Sequence, residues 1–308
     1  MTFIKRLLLF SVLLLDSSLV LAFENHRAEF SISVNGIQND YSVFSVFSLP
    51  GEVITIQSTT PITAKGLKNV AIDTYRLIAP DTYGLHDVGI ATSQQQSGIK
   101  LQIFVMHDLS DVDAKGFLKH YKIGFYPEKK FRDLDSYTPP SGALETTHAL
   151  LDQNISPHFK LGQFVCKQPT TGETGFLTLN PRLIIKLEKI LALVNEAGIA
   201  ADSFVIMSGY RTPHYNHSIG NGKFSRHQWG DAADIFIDVA PKDGVMDDLN
   251  RDGKVDEGDA TWLYDLIDRH KDTVLADYKG GLGKYKANSV RGPFVHIDTR
   301  GYEARWGF

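Results

Sequence analysis

A chain of 308 residues, 43% hydrophobic and 22% charged, is long enough for two ordinary globular domains and shows no compositional sign of disorder or a coiled coil. A formal charge of −4 is too mild to point to nucleic acid or an anionic membrane surface as partner. The only cysteine, Cys166, excludes an internal disulfide, and with no nucleophile motif around it, it reads as a small buried apolar residue. Function has to be sought in a localised site.

The first segment reads as a secretory signal over residues 1–22. Lys5 and Arg6 supply the charged start, and Leu7 to Leu15 an apolar stretch about half as long as a membrane-spanning helix requires. Val20 and Ala22 place small residues before a cut after Ala22. Removal of this segment would leave no membrane span and would deliver the protein across the inner membrane, to the periplasm or beyond.

Residues 23–105 are expected to form a small all-β module. Phe30, Ile32 and Val34 alternate with polar neighbours, as do Ile99, Leu101, Ile103 and Val105, with Val53, Ile54 and Ile56 between them. Turn residues separate the runs, at Leu49-Pro50-Gly51 and Asp81-Thr82-Tyr83-Gly84. Short strands at this spacing suggest a sandwich or barrel. No catalytic constellation lies here, which leaves a binding or positioning role. Residues 106–150 read as a linker or mixed segment rich in loop chemistry, with a boundary expected near Pro139 and Pro140. From 151 to the end a second, α+β domain is expected. Asn180 suits a helix N-cap, Pro181 the first helical position and Gly198 the residue past the end. Leu183, Leu187, Ile190, Leu191 and Val194 repeat between them at helical spacing. Phe204 to Met207 reads as a buried strand leading into Ser208-Gly209-Tyr210-Arg211, and Thr212-Pro213 as another helix start.

The informative stretch is Ser225-Arg226-His227-Gln228-Trp229-Gly230-Asp231-Ala232-Ala233-Asp234, joined by Phe294-Val295-His296-Ile297-Asp298. Two imidazoles and a carboxylate from His227, Asp234 and His296 are the three protein ligands a catalytic zinc needs, the fourth position being left to water. Period-two spacing puts Asp234 and His296 each on one face of a strand. If those strands pair, the two side chains lie side by side.

Ser225-x-His227-x-x-Gly230-x-Ala232-x-Asp234 resembles the zinc motif of the D-alanyl-D-alanine carboxypeptidase and murein endopeptidase family. The Ser208–Arg211 and Phe294–Asp298 segments look like its periplasmic murein endopeptidase branch. The resemblance spans about residues 156–308. It implies an α+β fold with a small antiparallel sheet, one Zn2+ on His227, Asp234 and His296, a substrate-facing Arg211, and peptidoglycan as partner. One departure stands out. Many members carry an acidic general base three residues before the last histidine, and here that position is Pro293. Asp298 could take the proton, or could instead orient a metal-binding histidine from behind. His214 and His217 are further candidates.

Asp248 to Asp259 follows a twelve-residue calcium-loop pattern. Side-chain oxygens fall at Asp248, Asn250, Asp252, Asp256 and Asp259, a backbone carbonyl at Lys254, and glycine at Gly253. It resembles a single dockerin or EF-hand loop inserted between Asp234 and His296, and it reads as a structural Ca2+ clip. The function expected from all this is zinc-dependent cleavage of a peptide bond in peptidoglycan stem peptides or their cross-links, endopeptidase rather than carboxypeptidase. The competing expectation is a catalytically silent zinc- and calcium-binding protein on the same fold.

Overall fold

The computed structural model describes residues 23–93, 98–170 and 174–307, so the signal segment expected over 1–22 lies outside the described residues. The N-terminal part holds nine strands: β1 (Arg27–Val34), β2 (Ile37–Tyr41), β3 (Val43–Ser48), β4 (Val53–Gln57), β5 (Ile62–Thr63), β6 (Lys68–Ala71), β7 (Thr74–Ile78), β8 (Gly84–Thr92) and β9 (Ile99–Val105). They form two sheets, ordered β2-β1-β4-β7-β6 and β3-β9-β8-β5. The alternation read from the sequence is what builds the core between them. Ile32, Val34, Ile54, Ile56, Leu101 and Ile103 point inward and are buried together with Tyr41 and Phe44. Apolar residues at every second position leave a sheet no other way to remove that face from water.

Residues 106–150, which the sequence offered as a linker, are folded. β10 (His107–Asp108), the hairpin β11 (Phe117–Leu118) with β12 (Tyr121–Lys122), and β13 (Gly142–Thr146) lie here, followed by a single helical turn α1 (His148–Leu151). β13 pairs with β10 on one side and with β14 (Gly175–Leu177) on the other, so the segment belongs to a small three-stranded sheet. The loop residues around Pro139 and Pro140 mark a turn into β13.

Helix α2 (Pro181–Glu196) begins where the sequence places it. The Asn180 side chain accepts from the Arg182 amide, and Gly198, at φ 88°, follows the last turn. Its leucines suggest a one-sided amphipathic helix, but α2 is buried nearly all round. Leu183, Leu187 and Leu191 join the C-terminal core while Ile185 joins the N-terminal one. A helix clamped between two cores must be apolar on both sides. The exceptions, Lys186 and Glu188, are buried charges with dedicated partners: the Lys186 ammonium donates to the Asp298 carbonyl at 2.8 Å, and Glu188 accepts from His158 Nδ1 at 2.7 Å.

The C-terminal sheet runs β15-β16-β18-β17-β19, from β15 (Val205–Ser208), β16 (Ala232–Phe236), β17 (Gly281–Tyr285), β18 (Phe294–Asp298) and β19 (Ala304–Gly307). All its pairings are antiparallel except β17 with β19. Helix α4 (Glu257–Arg269) packs on β17 and β18 through Leu263, Leu266 and Ile267, and a short helix α3 (Pro213–Ser218) stands beside the sheet. The whole is a mixed α+β fold with several small sheets and few helices. Among the described residues no helix is long and apolar enough to cross a membrane.

Candidate metal centre

Two neighbouring strands and one tight turn create the site. β16 and β18 are antiparallel with Asp234 directly opposite His296, which is the side-by-side placement that the strand spacing allowed. His227 arrives from the 3-10 turn Arg226–Trp229, which ends on Gly230 at φ 66°. A Cβ at Gly230 would sit 2.1 Å from the Thr178 carbonyl, while the Gly230 carbonyl accepts from the Asn180 amide at 2.9 Å. The motif is thus pressed against the start of α2, and only glycine fits the crossing.

The three side chains converge. His296 Nδ1 lies 2.8 Å from Asp234 Oδ1 and 3.3 Å from His227 Nε2, and His227 Nε2 lies 3.3 Å from Asp234 Oδ1. All three residues are buried, and among the described residues they are the only His, Cys, Asp and Glu side chains that bring three ligand-type atoms within 4.8 Å of one another. Tetrahedral zinc, with bonds of about 2.0–2.1 Å, holds its ligands roughly 3.3 Å apart, so the set needs to open by only a few tenths of an ångström to fit the ion.

The tautomers are fixed from behind. His227 Nδ1 donates to the Gly209 carbonyl at 2.7 Å, which leaves Nε2 as the free lone pair. His296 Nε2 donates to Asp298 Oδ2 at 3.1 Å, which turns Nδ1 toward the site. Asp298 is fully buried. It also accepts from the Gly281 amide at 2.7 Å and from Arg300 Nε at 2.9 Å, so its acceptor sites are engaged. The structure therefore places Asp298 behind His296 and off the cleft wall. Arg211 Nε donates to Ser208 Oγ at 2.8 Å, and its terminal nitrogen to Asp234 Oδ2 at 2.7 Å. Trp306 lies 5.1 Å from the His296 ring, over Gly283, where a Cβ would come within 2.3 Å of the indole nitrogen.

Burial alone would lower the His296 pKa, but its hydrogen bonds to Asp234 and Asp298 outweigh that and carry it up to about 9. Burial lowers His227, and it would raise Asp234, except that the two histidines hold that carboxyl well below its usual range. For a metal to be held here, His227 and Asp234 would be ready at neutral pH, while His296 would have to give up a proton. Two results follow. Zinc affinity should climb by up to about tenfold per pH unit between pH 7 and 9 and then level off, measured by competition with a chromophoric chelator. The metal-free protein should lose stability over the same range, because a raised histidine pKa contributes fully below about 6.5 and is lost as pH rises through about 9. A pH-independent affinity would mean that His296 is not a ligand.

These residues stand at the floor of a cleft of about 800 Å³ whose walls include Arg211, Tyr215, Arg291, Phe294 and Trp306. Pro293 does not line it, and among the described residues Asp234 is the only carboxylate that does. His214 and His217 face a separate cleft on the other side of α3, with Phe125 and Phe224; Tyr215, and Ile219 just past the helix end, are what line the cleft of His227, Asp234 and His296. Sequence reasoning missed Arg300, Trp306 and the Gly209 carbonyl. Arg300 carried a faint signal, a cation two residues after Asp298; the carbonyl carried none.

The calcium-pattern residues fold around their own amides. Asp248 accepts from the Asp252 and Gly253 amides at 3.1 and 2.8 Å, Asn250 Oδ1 from the Asp252 amide at 2.9 Å, and Asp252 from the Lys254 amide at 2.9 Å. Asp256 caps α4, and the buried Asp259 accepts from the Leu249 and Asp256 amides, each at 2.8 Å. No three carboxylates of Asp248, Asp252, Asp256 and Asp259 gather as closely as the His227 cluster.

A buried His-Asp-His cluster at the base of an open cleft, on an α+β scaffold, is the arrangement of a metal-dependent hydrolase. Residues 157–258 match the family model described as Peptidase M15, a stretch of about one-third of the chain that includes His227 and Asp234 and ends before His296. That match supports a hydrolase of the metallopeptidase class. No curated protein matches the chain.

Proposed function

We propose that the protein is a zinc peptidase that cuts a peptide bond in peptidoglycan, an endopeptidase of stem peptides or their cross-links. The observation that carries this is the convergence of His227 Nε2, Asp234 Oδ1 and His296 Nδ1 at the floor of an open cleft, together with the Peptidase M15 match over two of those three residues. Zinc, when bound, supplies the Lewis acidity that polarises a scissile carbonyl and acidifies water. The chain's own residues do the rest. His227, Asp234 and His296 hold the ion. Asp298 fixes the His296 ring and is a positioning residue. Arg211, with one nitrogen on Asp234 and its remaining donors toward the cleft, binds a substrate carboxylate or the oxyanion of the transition state.

Mass spectrometry of muropeptides incubated with the zinc-loaded protein tests the proposal. New fragments whose masses differ by water from a cut stem or cross-link are expected, and unchanged muropeptides in the presence of stoichiometric zinc would refute it. A second reading, a catalytically silent zinc-binding protein, is favoured by one specific observation: among the described residues, no carboxylate apart from Asp234 lines the cleft to take a proton. Stoichiometric zinc with muropeptide binding and no turnover is its signature.

Arg211→Lys should lower kcat/KM by roughly ten- to hundredfold, because an ammonium cannot keep the Ser208 and Asp234 bonds while meeting substrate with a planar fork. Zinc content should hold. Steady-state kinetics beside metal analysis checks both, and unchanged kinetics would remove Arg211 from the machinery.

The loop 248–259 is proposed to take one Ca2+ through Asp248, Asn250, Asp252, Lys254, Asp256 and Asp259. The support is the ligand spacing and the glycine at Gly253, whose φ of 84° suits the sharp turn. Binding to the folded state alone would stabilise it by about 2.7 kcal/mol at a hundred times the dissociation constant. Thermal unfolding with and without calcium, on wild type and Asp252→Ala, decides it. Identical midpoints throughout would return the loop to an amide-bonded acidic turn.

A further inference from the structure

Five cations line the cleft above the metal ligands: Lys167, Arg211, Arg226, Arg291 and Arg300. Three of them are already neutralised. Arg211 pairs with Asp234 at 2.7 Å, Arg226 Nε with Asp231 at 3.0 Å, and Arg300 Nε with Asp298 at 2.9 Å. Lys167 and Arg291 are different. Among the described residues, neither has a carboxylate within ion-pair distance, and each lines both the main cleft and an adjoining cavity of about 330 Å³ floored by Met207, Phe236 and Pro293. Both uncompensated charges therefore sit at the mouth where the two spaces meet, to one side of His227 and His296.

Arg291 is also held in place. Its guanidinium lies 4.3 Å above the Phe294 ring centroid and 5.5 Å from that of Tyr285, and those two rings stack on each other at 4.5 Å and 3°. One terminal nitrogen donates to the Lys286 carbonyl at 3.2 Å. A cation–π contact engages none of the guanidinium N–H donors and leaves them for a planar acceptor. A guanidinium seated against an aromatic pair, with an ammonium lining the same mouth and no carboxylate among the described residues paired with either, is a receptor for an anion.

We infer that Lys167 and Arg291 form a carboxylate-binding subsite at the junction of the two cavities, which selects acidic peptides by gripping a free carboxylate to one side of the bond to be cut. The inference rests on the peptidase reading for the word "cut", but the binding it asserts does not.

The test uses two synthetic stem-type pentapeptides, identical except that the carboxylates of one are amidated. On the zinc-loaded wild-type protein the free-acid peptide should be preferred by roughly ten- to hundredfold in kcat/KM, mostly through KM, as expected for loss of charged hydrogen bonds. Arg291→Gln and, separately, Lys167→Gln should each collapse that preference toward unity, and Arg291→Lys should keep part of it. Titration calorimetry of the same proteins with both peptides supplies a readout independent of turnover. If neither peptide is cut yet the wild type binds the free acid more tightly and the glutamine variants do not, the subsite stands and the peptidase reading falls. If wild type binds both peptides equally, or the variants keep the full preference, the subsite is overturned.

Discussion

His296→Ala should leave a folded protein that retains no stoichiometric zinc and has lost its peptidase activity. The ring holds three positions at once. Nδ1 faces Asp234 Oδ1 and His227 Nε2, while Nε2 is committed to Asp298. Alanine leaves two ligands, which cannot complete a site that needs three from the protein. The loss in zinc affinity should exceed the roughly 10–100-fold that removing an outer hydrogen-bonding partner costs. The same substitution strips two buried carboxylates of their shared partner, although Arg211 and Arg300 still neutralise them, so the variant should fold with reduced stability. Metal analysis after dialysis, kinetics, and thermal unfolding with added zinc give three independent readouts. A wild-type protein gains about 2.7 kcal/mol at a hundred times its dissociation constant, and the variant should gain nothing. Full zinc content with full activity in the variant would refute the assignment of His296.

Asp298→Ala carries the second large effect, on stability. This carboxylate is fully buried and joins His296, Arg300 and the Gly281 amide. Its field also opposes the burial that depresses the Lys186 pKa to about 8. Without it Arg300 is stranded beside the cleft, the ammonium of Lys186 loses its main counter-charge, and the His296 tautomer is no longer fixed. Breaking a buried pair by removing one partner typically costs about 3–5 kcal/mol. Urea unfolding should show a loss of that order, and zinc affinity should fall roughly 10–100-fold. Asp298→Asn separates the two roles open to this residue. It keeps an oxygen for one of its donors and removes the capacity to take a proton. A positioning residue should then show weakened zinc binding, with turnover largely restored when zinc is raised to saturation. If Asp298→Asn bound zinc as tightly as wild type and turned over nothing, Asp298 would be the base, reached through a movement of the chain.

Much of this was written locally. The helix α2 was bounded by Asn180, Pro181 and Gly198 because caps depend on residues one to three positions away. The strands of the N-terminal sheets followed from period-two alternation. His227, Asp234 and His296 could be singled out because a motif states donor type and spacing, and strand period fixes which face each donor takes. The partners of those donors were not legible. Whether Asp298 faces the cleft or the back of a histidine depends on Arg300 and Gly281 converging on it, and on how β18 lies between β16 and β17. His214 and His217 had the right chemistry and the right neighbourhood in the chain, yet the rotation of α3 turned Tyr215 to the site instead. The burial of Lys186 and Glu188 was not legible either, because it depends on a second core that covers the far side of α2. Residues 106–150 looked like a linker because their strands are two to five residues long, too short to show a period, and became a sheet only through the pairing of β13 with the distant β10 and β14. Local rules set the type of each element and the identity of the donors. Contacts between residues far apart in the chain, 62 positions between His296 and Asp234 and 69 between His296 and His227, decided which charges are paired and which, like Arg291, are left for a ligand.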